Sequence, residues 1–140
     1  MQFRTMTPNF LVEDVAKTTA FYHEKLGFRI KMALERDTES IEQSLSQSKE
    51  YTYAVVHRGN INLMFVQALT FREDIWNTEL RHPAASVLFY IDVDKVDEIY
   101  LEFQSNDVEI VKELTTTWTG RREFYIKDCN GYILAFSEHL

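Results

Sequence analysis

A chain of 140 residues with one cysteine, 45% hydrophobic and 26% charged residues is sized for one domain whose core needs no disulfide. Its formal net charge of −7 argues against a duplex nucleic-acid binder, which needs a basic face, and is compatible with a cationic ligand. No apolar run approaches the ~18–20 residues of a membrane span, and the opening MQFRTMTPNFLVED has no apolar export segment, so with its lone cysteine the chain is expected in a reducing cytoplasm.

Residues 5–12, TMTPNFLV, predict a first strand, with Pro8 placing it at an edge or delaying its start. Asp14 reads as an N-cap. Val15, Thr19, Tyr22 and Leu26 then fall on one helical face, and Gly27 is a left-handed stop. Residues 28–34, FRIKMAL, alternate as a strand does. Residues 36–50 are rich in Ser, Gln and Glu and predict a mobile loop with at most a short helical turn. That loop is either a plain surface excursion or a lid. Tyr51–His57 and Ile61–Gln67 form a hairpin about Arg58-Gly59-Asn60.

Residues 71–82 predict a short helix or irregular connector ending at Pro83. Residues 86–93, SVLFYIDV, predict a strand. Val96, Ile99, Tyr100 and Phe103 make the clearest amphipathic stripe, which Ser105-Asn106-Asp107 ends. Val108–Val111 is a short strand. Two β-rich runs then flank Asn130-Gly131, a pair suited to a type I′ turn because both residues tolerate positive φ. One unit, βαβββ, is written twice, at about 1–70 and 84–140. The expected fold is α+β, a single domain over 1–140 with a connector at 71–83.

The doubled unit resembles the vicinal oxygen chelate superfamily, the glyoxalase, bleomycin-resistance and dioxygenase group, over nearly the whole chain. PNFLVEDVAKTTAFYHEKLGF is similar to the opening strand and helix of that family. Trp118, Arg122-Glu123-Phe124 and Asp128-Cys129-Asn130-Gly131 are similar to the closing motifs of its bleomycin-resistance branch, with Cys129 in place of the usual proline. The resemblance implies curved, barrel-like mixed sheets with a concave site. It also implies a homodimer with ligand crevices between subunits.

Metal-dependent members place one His, Gln or Glu on each of four strands, where a divalent ion chelates substrate oxygens as a Lewis acid. Carried over by position, those places hold Thr7, then Asn62 or Met64, then Leu88 (Val87 if slipped by one), then Ala135. Such residues do not build a divalent-metal shell, so neither a metal nor another cofactor is expected. His23, His57, His82 and His139 share no ligand spacing with another ligating residue, and Cys129 has no evident base beside it.

With Ala135 taken as concave-facing, pairing across the Asn130-Gly131 turn puts Glu123 and Tyr125 on the same face, with Trp118 at the mouth of the hairpin. Trp118, Glu123, Tyr125, Met64 and Ala135 are the candidate ligand-binding residues. Stacking, cation–π contact and charge pairing would suit an aromatic cation. The alternative is that the aromatics are packing residues and Glu123 pairs with Arg121 or another base. The expected function is metal-independent binding of a small molecule, such as sequestration of an antibiotic or metabolite. The rival is a metal-dependent lyase, isomerase or dioxygenase. No nucleic acid or membrane partner is expected.

Overall fold

The computed structural model describes residues 1–37, 40–46, 48–69 and 87–140. The chain divides into two compact units, Met1–Pro83 and Ala84–Leu140. The predicted connector at 71–83, with Trp76 and His82, lies outside the described residues.

In the first unit, β1 (Asn9–Val12), α1 (Val15–Glu24), β2 (Arg29–Glu35), β3 (Ile41–Glu42), β4 (Tyr51–Arg58) and β5 (Ile61–Gln67) follow in chain order. The sheet order is β1-β5-β4-β2-β3. β1 runs parallel to β5, and the other neighbours are antiparallel. Pro8 has both predicted consequences: β1 is an edge strand, and it starts only at Asn9. The Pro8 carbonyl still accepts from the Met64 N–H at 2.9 Å. Asp14 caps α1, its side chain accepting from the Lys17 N–H at 3.0 Å. Phe10, Val12, Ala54, Val56, Leu63 and Phe65 turn one face of the sheet into core. Tyr22 of α1 joins it fully buried, its ring 4.8 Å from Phe65 and 5.6 Å from Phe28. Truncating such a ring to alanine costs about 3–5 kcal/mol.

Residues 36–50 differ from expectation. Among the described residues of this span stands β3, whose Ile41 and Glu42 pair with Leu34 and Ala33, and no helical turn. Glu42 accepts from the Tyr51 hydroxyl at 2.7 Å and from Lys49, and the Tyr51 hydroxyl takes the Ser46 N–H at 2.8 Å. The Ser- and Gln-rich composition hid a polar network anchored on one buried tyrosine.

The second unit contains β6 (Leu88–Asp92), α2 (Val96–Ser105), β7 (Glu109–Thr116), β8 (Arg121–Lys127) and β9 (Ile133–His139), in sheet order β6-β9-β8-β7. β6 is parallel to β9, and the other neighbours are antiparallel. Phe103 of α2 lies 5.9 Å from Phe124 and 5.2 Å from Phe136, and the latter two stack at 5.4 Å. Lys95, before the helix, makes no side-chain cap; Glu138 of β9 accepts from the Val96 N–H at 3.0 Å instead. Asp107, at φ 57, ends α2 while the Val108 N–H returns to the Phe103 carbonyl.

Both units are thus mixed, bulged sheets with a helix on one face, the expected α+β architecture. The bulges in β2–β4 and β7–β8 give each sheet its curvature. β7 is twice the predicted length, because the pairing continues from Lys112 to Thr116 through two register shifts. Neither hairpin is type I′. At Gly59-Asn60 the positive φ falls on Gly59 alone, the first central position, as in a type II′ pattern. Between β8 and β9 only Gly131 has positive φ. There Asp128 holds a wider loop, its carboxylate accepting from the Asn130 and Tyr132 N–H groups at 2.8 Å each.

Candidate ligand-binding face of the second unit

Strand alternation leaves the face of the second sheet opposite its phenylalanines lined by different chemistry. Tyr90, Ala135 and Tyr125 lie in register across β6, β9 and β8, and Lys112 of β7 faces Tyr125. One step along, Asp92, Ser137 and Glu123 form a second row. Glu123 and Tyr125 therefore share the face of Ala135, as the sequence count places them.

Glu123 is a buried carboxylate, 5% exposed. It accepts from the Tyr90 hydroxyl and lies 3.6 Å from the Lys112 ammonium. Its base is therefore Lys112; Arg121 is bound to Asp92 at 2.6 Å and to the Ser137 hydroxyl at 2.7 Å. The Asp92 hydrogen bond holds the Arg121 guanidinium more firmly protonated than usual. Lys112 also lies 4.7 Å over the Tyr125 ring, and Arg121 lies 5.8 Å from the centre of the Tyr90 ring. The face alternates cation, ring and carboxylate with every charge opposed.

Ala135 is fully buried under this row. Trp118 is elsewhere: it sits in the turn between β7 and β8, 97% exposed. Met64 belongs to the first unit, on the face of β5 away from α1, where its sulfur receives the Tyr53 hydroxyl at 3.5 Å. Tyr90, Lys112, Arg121 and Ser137 were not among the sequence candidates. Alternation in SVLFYIDV carries Tyr90, but only the parallel β6–β9 register places it beside Ala135. Lys112 was hidden because the predicted strand stopped at Val111.

The internal registers also decide between Asn62 and Met64. Ala135 pairs with Tyr90, two residues beyond Leu88. Met64 pairs with Asn9, two residues beyond Thr7. Met64 thus matches Ala135, and with it the four positions the family resemblance implies are Thr7, Met64, Leu88 and Ala135. One hydroxyl, one thioether and two hydrocarbon chains do not fit a hard divalent ion. Among the described residues, no three His, Cys, Asp or Glu gather closely enough to hold a metal. The described histidines have other surroundings: His23 Nδ1 is 2.7 Å from the Phe28 carbonyl, His57 pairs with Arg29 and Asn62, and His139 is exposed at the end of β9. Cys129 is exposed beside the Asp128 loop.

A helix-backed mixed sheet written twice defines the class of protein built from paired βαβββ units. The sequence model of the Glyoxalase/Bleomycin resistance protein/Dioxygenase superfamily matches residues 5–136, and the chain belongs to that superfamily. Similar solved structures include a protein of unknown function from Agrobacterium tumefaciens str. C58, 21% identical with TM-score 0.71, the match covering 100% of this chain and 97% of that one. TioX from Micromonospora sp. ML1 is 15% identical with TM-score 0.67, covering 98% and 97%. The bleomycin-binding protein of bleomycin-producing Streptomyces verticillus, solved with copper(II)-bleomycin, is 17% identical with TM-score 0.65, covering 100% and 99%. None of the curated proteins matches the chain. No helix among the described residues is long and apolar enough to cross a membrane.

Proposed function

We propose that this protein binds a small aromatic, cationic molecule without a metal, as a sequestering protein does, and that Glu123, Tyr125 and Tyr90 form the contact face above Ala135. The observation that carries this reading is the placement of Lys112. Its ammonium rests on the Tyr125 ring and beside the Glu123 carboxylate. The spot is already furnished for a cation by cation–π attraction and charge, and Lys112 holds it in the way a ligand would. Trp118, exposed in the β7–β8 turn, would stack on a ligand that reaches that turn, and Met64 holds the corresponding position on the first sheet. The superfamily and the bleomycin-binding protein of similar fold support ligand binding as the class of function. Thr7, Met64, Leu88 and Ala135 support its independence of metal.

Calorimetric titration of cationic, neutral and anionic aromatic compounds, with and without EDTA, tests the proposal. The expected order is cationic above neutral above anionic, unchanged by chelation. Binding or turnover that appears only on adding Ni²⁺, Zn²⁺, Mn²⁺ or Fe²⁺ would overturn it in favour of a metal-dependent lyase, isomerase or dioxygenase. The reading includes a cytoplasmic homodimer. β1 and β6 are edge strands, and Leu88 and Tyr90 on β6 are 44% and 49% exposed, a surface a second copy could cover. Sedimentation should give twice the 16.6 kDa chain mass.

A further inference from the structure

We propose that the first unit carries a second, separate site, for a phosphate group, where β2 begins and β4 turns into β5. Gly27, Arg29, His57, Arg58 and Gly59 line a cavity of about 240 Å³ there. In a chain of net charge −7 this lining contains no acidic residue.

Basic side chains converge by register. Arg29 lies directly opposite His57, and His57 directly opposite Asn62. The Lys31 ammonium donates to the Asn62 side-chain Oδ1 at 3.3 Å, which brings it to the same row. Among the described residues, no carboxylate pairs with Arg29, Lys31 or His57. Arg29 and Lys31 are thus two cations close along β2 without a counter-charge. An anion at the row would supply it.

Arg58 is held in place on the opposite flank. Its Nη1 donates to the Leu26 carbonyl at 2.7 Å. A Cβ on Gly27 would stand 2.8 Å from that same nitrogen, at the tip of a flexible side chain, and it is the φ of +75° at Gly27 that requires glycine. Closing the carbonyl end of α1 accounts for Arg58. It does not account for Arg29 and Lys31, which are exposed. The Arg29 guanidinium, the Lys31 ammonium and the His57 imidazole together offer more donors than one carboxylate can accept. A tetrahedral phosphate, with three terminal oxygens and close to two charges, fits the set.

The test is a titration of the full chain, followed by amide NMR at constant ionic strength, with inorganic phosphate in one arm and phenyl phosphate in the other. Saturable shifts at Gly27, Arg29, Gly59 and Asn62 are expected in the millimolar range. Binding of both compounds would show that the free anion suffices. Binding of phenyl phosphate alone would show a site for a phosphorylated molecule, and either result supports the site. Arg29→Gln and Lys31→Gln should each weaken binding at least about tenfold with the rest of the spectrum unchanged. Shifts that never saturate, that chloride reproduces, or that survive both substitutions would overturn the proposal.

Discussion

The Tyr90 hydroxyl on β6 reaches across β9 to donate to the Glu123 carboxylate on β8. It also lies 3.1 Å from the Ser137 hydroxyl on the strand between. One phenol thereby ties three strands together over a buried charge. Tyr90→Phe removes the donor but keeps the ring. Urea unfolding should show a loss of about 1.5–3 kcal/mol, the usual worth of a hydrogen bond to a charged group. In a cycle with Glu123→Gln the two losses should be non-additive by at least about 0.5 kcal/mol. Strict additivity would mean the two groups act independently.

That reach depends on a small residue beneath it. Ala135 faces Tyr90 on one side and Tyr125 on the other and is fully buried. Ala135→Leu should overpack the row, costing about 1–3 kcal/mol, and should lift Tyr90 off Glu123. Near-ultraviolet circular dichroism and thermal unfolding would report both effects. An unchanged tyrosine signal would show that the space under Tyr90 is larger than the register implies.

Much of this architecture is legible in the chain. The α1 face of Val15, Thr19 and Tyr22 and the α2 stripe ending at Phe103 stand at helical spacing. Asp14 and Gly27 mark where α1 starts and stops, because their preferences are set by local backbone geometry. The superfamily follows from motifs at both ends. What sequence could not supply is cross-strand partnership. The Glu123 row depends on a parallel pairing of β6 and β9, and those strands meet at a sequence distance where no local preference operates. The same limit hid the β3 pairing behind the polar composition of residues 36–50. It also hid the loop held by Asp128, whose side chain rather than Asn130 sets the turn.

Gly27 should be the most sensitive glycine of the first unit. Gly27→Ala forces a side chain into φ +75° and a Cβ into contact with Arg58. A loss of about 1–3 kcal/mol is expected from the backbone strain alone. Arg58→Ala in the same chain removes the clash but not the strain. The double variant should therefore be more stable than the sum of the singles predicts. Chemical denaturation of all four proteins decides it, and simple addition would show that Arg58 yields freely.

The network at Tyr51 should be sensitive to acid. Hydrogen bonds from Lys49 first, then Tyr51, hold the Glu42 carboxyl below its ordinary value of 4.5, while the hydrogen bond to Glu42 raises Lys49. A depressed carboxylate contributes stability above its unfolded pKa and loses it as pH falls through the folded one. A raised lysine contributes below its ordinary value of 10.5 and loses it as pH rises through the folded one. The network should therefore hold between pH 4.5 and 10.5 and open as pH falls below 4.5. The Ser46 amide, bonded to the Tyr51 hydroxyl, is the reporter. Its hydrogen-exchange protection, corrected for intrinsic rate, should fall with acid. Glu42→Gln should already lower it at pH 7, and a flat protection profile would contradict the assignment.

Lys112 gives the sharpest test of the ligand face. If it occupies the place of a ligand cation, it competes with one. Lys112→Met keeps an apolar stem on Tyr125 but withdraws the ammonium from both Tyr125 and Glu123. The carboxylate then keeps the Tyr90 hydroxyl and loses its base, which should destabilise the free protein by about 1–3 kcal/mol. A cationic aromatic compound would restore the missing charge, so its affinity should rise about tenfold or more, about 1.4 kcal/mol, while a neutral analogue gains little. Glu123→Gln should remove the preference for cations in both backgrounds. Trp118 is exposed enough that Trp118→Ala should change stability by less than about 0.5 kcal/mol, so any loss of affinity it causes belongs to ligand contact. Equal affinities of the Lys112→Met and unmodified proteins for the cation would show that Lys112 serves the sheet alone, and that ligands of this class bind elsewhere.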